Sequence, residues 1–289
     1  MLLLKKTAAA LVFTGALATV SAQSVDQRIR LNTVGFLPGF PKQASVAAEF
    51  TTFMLRDIDD GGRRVYSGAA AEPMYNPDTR DTLWIADFSD FTTPGRYYIY
   101  IPDVGNSPAF TIAESVFTEP YRAVMLGFYL WRCGAAVNAS HNGRTYSHAV
   151  CHAGDGGLQY YEPGASGKKD GTGGWHDAGD YNKYTVNSGA AVAFTLKAWE
   201  NFWFVLKDTP LISVSDAGAL PAFLAEVKHN LDWVAKMQFP DGRVSHKLST
   251  LDFGGNVMPN NEGTERYFAP WSTAATGSFA GQMAIAARL

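Results

Sequence analysis

Two carboxylates three positions apart stand at the centre of the segment Gly173-Gly174-Trp175-His176-Asp177-Ala178-Gly179-Asp180-Tyr181. A glycine-rich loop that runs into a helical pattern can aim both at one spot above a helix N-terminus. There the helix dipole and free N–H groups favour the ionised acids. Such a pair suits the handling of one water, with one carboxylate removing its proton and the other fixing its orientation. Plain N-capping competes with this reading, because Asp is among the commonest residues at helix starts.

A second set is Cys133, Cys151, His152 and His176. Two thiolates and two imidazoles suit tetrahedral zinc, although the spacing is wide and lacks the short knuckle of a zinc finger. A lone cysteine pair in an exported chain equally suits a disulfide, and spacing alone leaves both open. Four protein ligands would leave a zinc no position for water, which makes it structural and argues against a zinc hydrolase. Because His176 precedes Asp177, such a metal would also stiffen the carboxylate turn.

Aromatic residues surround these segments, among them Tyr160, Tyr161, Trp175, Tyr184, Trp199, Trp203, Trp233 and Trp271. Aromatic faces stack on sugar rings, but most of those in helical patterns belong in cores. Trp175 and Tyr184, which flank the carboxylates, are the best placed to line a cleft. His246, in the loop 241–248, could donate to a sugar hydroxyl, against the plainer expectation of a loop histidine with no specific role.

The elements that must carry these residues fall into three stretches. Lys5 and Lys6, an apolar Ala-rich run from Thr7 to Val20, and the small residues Val20-Ser21-Ala22 read as a signal peptide over residues 1–22. The chain is therefore expected to be secreted, to the periplasm or beyond. From 23 to 115, apolar runs of strand length recur at Ser45–Phe50, Phe53–Ile58, Thr82–Phe88, Arg96–Ile101 and Ala109–Ile112. They are separated by turn signals such as Pro94-Gly95, which predicts an immunoglobulin-like β-sandwich. From 116 to 289, helical patterns lie at Phe117–Trp131, Tyr181–Val205, Leu220–Met237 and Ser272–Leu289, with an irregular glycine-rich stretch from Cys133 to Gly174. The last pattern stops at Leu289 with no cap or terminator, so the chain is expected to be incomplete.

The 289 residues are 46% hydrophobic with a formal net charge of −3. That is the composition of a protein with real cores, and scattered basic residues favour neither nucleic acid nor an anionic membrane as partner. No later segment has the length and apolarity of a membrane span, and a monomer is expected.

Gly173–Tyr184 resembles the signature of glycoside hydrolase family 9. Ile29–Pro38 resembles the start of the immunoglobulin-like module in one branch of that family. Val244–Leu248, Val257–Pro259 and Ser272–Thr276 also match stretches of that branch, in the same order. The resemblance implies the first part of an all-α (α/α)6 barrel behind the sandwich, and inverting hydrolysis of β-1,4-glucosidic bonds in cellulose or related β-glucans. It implies Asp180 as catalytic base, Asp177 as its aide, His246 as a substrate contact and a structural zinc on Cys133, Cys151, His152 and His176. Family members often bind calcium as well, but no residues here match those ligands. The family's general acid is a glutamate late in the barrel. Glu262 and Glu265 lie too early for it, so it is expected beyond Leu289 and the fragment alone is expected to be inactive. The competing readings are a non-catalytic glycan-binding or scaffold fragment and an exo-acting glucosidase or glucosaminidase.

Overall fold

The computed structural model describes residues 24–212 and 219–289, so the expected signal peptide lies outside the described residues. The chain divides into two compact units, the first ending at Phe117 and the second running from Thr118 to Leu289.

The first unit is built from short strands: β1 (Ile29–Arg30), β2 (Gln43–Val46), β3 (Thr52–Asp57), β4 (Arg63–Ala69), β5 (Met74–Asn76), β6 (Asp81–Asp87), β7 (Gly95–Ile101), β8 (Gly105–Asn106) and β9 (Phe110–Ile112). They form a four-stranded sheet, β1-β2-β6-β5, and a five-stranded sheet, β4-β3-β7-β8 with β9 also on β7. Alternation decides the packing. Along β7, Tyr97, Ile99 and Ile101 are buried while the residues between them are not, as a half-buried strand requires. Ile29, Val46 and Phe88 from one sheet meet Phe53, Leu55, Ile99, Phe110 and Ile112 from the other in a single core. At roughly 1.5–3 kcal/mol for each such side chain buried, this core is what holds the sheets face to face. The sequence reading missed β4, whose residues are all exposed or half-exposed and so carry no apolar alternation.

The second unit has four helices among the described residues: α1 (Thr118–Leu130), α2 (Thr185–Leu206), α3 (Ala222–Lys236) and α4 (Thr273–Arg288). α2 and α4 pack on each other and α3 lies against both. Val192 and Leu196 of α2 share a core with Met125 of α1 and with Phe223 and Val227 of α3. Two corrections concern the segments between the helices. The stretch expected to be irregular contains a hairpin, β10 (Val137–His141) paired with β11 (Arg144–His148). Its turn, Asn142-Gly143, has φ of 50° and 72°, the left-handed pair that an Asn-Gly hairpin turn uses. The helix expected from Tyr181 begins only at Thr185. Lys183–Tyr184 is instead a strand, β12, paired with β13 (Lys247–Ser249), which pairs in turn with β14 (Tyr267–Phe268).

Candidate active site and metal group

Three chain segments converge at the end of α1. The Trp131 carbonyl accepts the His176 N–H at 2.9 Å, and the Cys133 N–H donates to the Gly174 carbonyl at 2.7 Å. This short ladder sets Cys133 beside His176 although 43 positions separate them in sequence. The β10–β11 hairpin, closed by Val137 opposite His148, then folds the chain back and delivers Cys151 and His152 to the same place. Gly174 makes the approach possible. It has φ +78°, and a Cβ there would lie 2.7 Å from the Trp233 ring.

The outcome is a compact group. One ligand atom each from Cys133, Cys151, His152 and His176 lies within 4.8 Å of all the others. Cys133 Sγ is 3.7 Å from His152 Nδ1, and Cys151 Sγ is 3.5 Å from His176 Nε2. The two thiols are free, not joined as a disulfide. Burial pushes the His176 imidazole down to about 4, which keeps its ring neutral. Hydrogen bonding from Cys133 brings the Cys151 thiol down to about 7, whereas burial raises Cys133. His176 Nδ1 donates to the Tyr181 carbonyl at 2.8 Å, and this fixes Nε2 as the nitrogen facing the sulfurs.

Around the group lies a buried charge network that sequence reasoning missed. Lys183, fully buried, pairs with Asp155 at 3.0 Å and donates to the Gly171 and Gly173 carbonyls at 2.7 and 2.9 Å. Arg266, also fully buried, donates to His152 Nε2 at 2.6 Å and lies 3.5 Å from Glu262. His229, likewise missed, stands 3.1 Å from the Gly174 carbonyl. Glu226, buried on α3, accepts from Arg132 at 2.8 Å and from the Trp175 indole at 2.9 Å. Trp175 is therefore mostly buried, held by Glu226 and packed on Phe128, with a small part of its surface lining the pocket beside the carboxylate turn. The sequence offers no local signal for this network: Lys183, between Asn182 and Tyr184, stands in a polar stretch and reads as surface.

The carboxylates sit just past the group. Neither caps a helix: the N-cap position of α2 is Tyr184, with no side-chain cap bond. The Asp177 N–H donates to the Asn182 carbonyl at 2.8 Å, and its carboxylate accepts from Asn187 Nδ2 at 3.0 Å. Asp180 Oδ2 accepts from Asn182 Nδ2 and from the Tyr184 hydroxyl, both at 3.0 Å. Its Oδ1 has one long contact, the Asn182 N–H at 3.3 Å. Burial first, then the bond to Asp180, pushes the Tyr184 hydroxyl up to about 12. An open pocket of about 190 Å³ between α1, α2 and α3 is lined by Trp131, Asp177, Tyr184 and Asn187 among others. Asp177 is the one carboxylate among its lining residues, and Asp180 lies one hydrogen bond behind Tyr184. His246 is half-buried, its Nδ1 2.9 Å from the hydroxyl of Ser272, the N-cap of α4. Its carbonyl accepts the Thr185 N–H at 3.0 Å, next to the pairing of Lys247 with Tyr184.

A family model described as glycosyl hydrolase family 9 matches residues 117–289, and one described as cellulase N-terminal Ig-like domain matches residues 24–106. Endoglucanase D of Acetivibrio thermocellus is 47% identical over 266 residues, which cover 91% of this chain and 42% of that protein. A xyloglucan-specific endo-beta-1,4-glucanase of Bacteroides ovatus is 33% identical, over 90% of this chain and 45% of its own length. The chain thus spans less than half the length of these relatives. Among solved structures, a metagenome-derived glycoside hydrolase family 9 endoglucanase superposes with TM-score 0.80 at 35% identity, over 90% of this chain and 49% of its own. A zinc-binding triple mutant of the family 9 endoglucanase J30 superposes with TM-score 0.80 at 33% identity, over 87% and 48% respectively.

Proposed function

Because the chain belongs to glycosyl hydrolase family 9, we propose that it carries the base side of a secreted, inverting endo-β-1,4-glucanase. The observation that carries this reading is the carboxylate turn. Asp180 is held by two side-chain donors on one oxygen, and Asp177 faces the open pocket beside it. Asp180 takes the proton of the attacking water and Asp177 helps to hold that water. His246 contacts the sugar from the neighbouring strand, and the substrate is cellulose or a related β-glucan. Endo action is supported by the endoglucanases among the similar proteins.

Inversion also needs an acid on the leaving oxygen, roughly 6.5–9.5 Å from the base-side carboxylate. Glu262 and Glu265 are poor choices. Glu262 is buried against Arg266 and His152, and Glu265 pairs with Lys168 at 2.8 Å and accepts the Tyr267 hydroxyl at 2.9 Å. The proposed acid comes from the part of the family fold that this chain does not span. The four helices α1–α4 are accordingly the first part of an (α/α)6 barrel. The division is a signal peptide over 1–22, an immunoglobulin-like module over 23–115 and the partial barrel over 116–289.

The four-residue group fits a structural zinc. With Zn–S of about 2.3 Å and Zn–N of about 2.0–2.1 Å, tetrahedral geometry sets S and N ligands about 3.6 Å apart, close to the 3.5 and 3.7 Å between the paired ligands. Zinc here would lock the three segments together and would leave the hydrolysis to the carboxylates.

The test is the stereochemistry of the first product. Proton NMR of soluble β-1,4-glucan during hydrolysis by the full natural polypeptide should show the new reducing end appear as the α-anomer. Initial appearance of the β-anomer would exclude single displacement by water, and with it Asp180 as the base of an inverting reaction.

A further inference from the structure

The bonds around Asp180 differ between its two oxygens, and that difference carries an inference that rests on the reading of Asp180 as the base. Oδ2 receives two side-chain donors at 3.0 Å, Asn182 Nδ2 and the Tyr184 hydroxyl. Oδ1 receives only a backbone N–H at 3.3 Å. Both donors are themselves held. The Asn182 side chain is buried, and its Oδ1 accepts from the Thr250 N–H at 3.0 Å, which fixes the amide so that Nδ2 points at Asp180. Its main-chain carbonyl accepts the Asp177 N–H at 2.8 Å, so this one residue ties both carboxylates together. Tyr184 is set by the pairing of β12 with β13, where it stands opposite Lys247, whose ammonium lies 5.5 Å from its ring centre.

We infer that Asn182 and Tyr184 are positioning residues that occupy Oδ2 of Asp180 and thereby present Oδ1 as the oxygen that takes the water's proton. A carboxylate free to rotate would share its basicity between two oxygens and two directions. One that is clamped through Oδ2 has Oδ1 pre-aimed, and a misplacement of about 1 Å at a reacting group can cost on the order of a hundredfold in rate. Tyr184 keeps its proton for this task, since burial and the neighbouring carboxylate both favour its neutral form. The role differs from sugar stacking, for which the position of Tyr184 beside the carboxylates first marks it in the sequence. It also explains why Asn182, far less exposed than either carboxylate, is polar at all.

The experiment uses the full natural polypeptide with soluble β-1,4-glucan, comparing Asp180→Asn, Tyr184→Phe and Asn182→Ala by kcat, KM and Tm. Tyr184→Phe removes one hydroxyl and keeps the ring. It should lower kcat about 10- to 100-fold with KM within about twofold and Tm within about 2 °C of wild type. Asn182→Ala should lower kcat at least as far. If that variant does not fold, Tyr184→Phe decides alone. Wild-type kcat in Tyr184→Phe, with Asp180→Asn inactive, would overturn the positioning role and leave the base reading intact. A raised KM at unchanged kcat in Tyr184→Phe would overturn it in favour of sugar binding. Normal turnover in Asp180→Asn would remove the base reading itself, and this inference with it.

Discussion

His176 donates from Nδ1 to the carbonyl of Tyr181 at 2.8 Å, while its Nε2 lies 3.5 Å from Cys151 Sγ. One imidazole therefore closes the turn that carries Asp177 and Asp180 and also faces the cysteine–histidine group. The tautomer that serves one role serves the other, because a carbonyl can only accept and so leaves Nε2 bare for a metal.

Metal analysis of the purified protein should accordingly find one equivalent of zinc per chain. Its removal by a chelator, or Cys133→Ser, should lower stability by several kcal/mol, since a structural site contributes its binding energy to folding. Thermal unfolding with and without chelator measures this. A metal-free protein whose intact mass is short by two hydrogens would instead indicate a disulfide between Cys133 and Cys151.

Gly174 is the hinge on which this arrangement turns. Its φ is +78°, and an added Cβ would lie 2.7–2.8 Å from three atoms of Trp233. Gly174→Ala should cost about 1–3 kcal/mol from strain and overpacking and should weaken metal retention, because the Gly174 carbonyl holds the Cys133 N–H. Unchanged urea unfolding together with full zinc content would contradict this.

Glu226 is fully buried, with Arg132 and the Trp175 indole as its partners. Glu226→Ala leaves a largely buried guanidinium and an indole N–H without an acceptor, and should cost about 3–5 kcal/mol. Glu226→Gln, which keeps an acceptor for the indole, should cost less. Equal losses in the two variants would mean that the negative charge facing Arg132, not side-chain volume or the bond to the indole, is what Glu226 supplies.

Much of this was legible in the sequence because it depends on local patterns. Alternation along Arg96–Ile101 and helical periodicity at Leu220–Met237 each lead to elements close to those observed, β7 and α3. The four residues of the metal group also come together. The start of α2 was not legible. The segment from Tyr181 looks helical by its own composition, but the Lys183–Tyr184 backbone pairs with Lys247–Leu248, a contact across more than 60 positions that local periodicity cannot report. The same pairing turns the carboxylates away from a capping role and towards Asn182 and Tyr184. The buried network of Asp155, Lys183, Glu262 and Arg266 was hidden for a related reason. Each of these charges reads as surface until its distant partner is known.

The Tyr184 hydroxyl is raised from 10.0 to about 12. A raised folded value means that the neutral form is favoured in the fold. Its contribution to stability is therefore complete below pH 10 and is lost as pH climbs towards 12. Tyrosinate absorbance of wild type minus Tyr184→Phe should show the missing step near pH 12. A step near pH 10 would mean that the hydroxyl is neither buried nor bonded to Asp180.

Turnover of soluble β-1,4-glucan by Asp180→Ala in the full natural polypeptide tests the central claim most directly. Removal of a catalytic base should lower kcat by about 100-fold or more while zinc content and Tm stay near wild type. Turnover at the wild-type rate would contradict the assignment of Asp180 as the base.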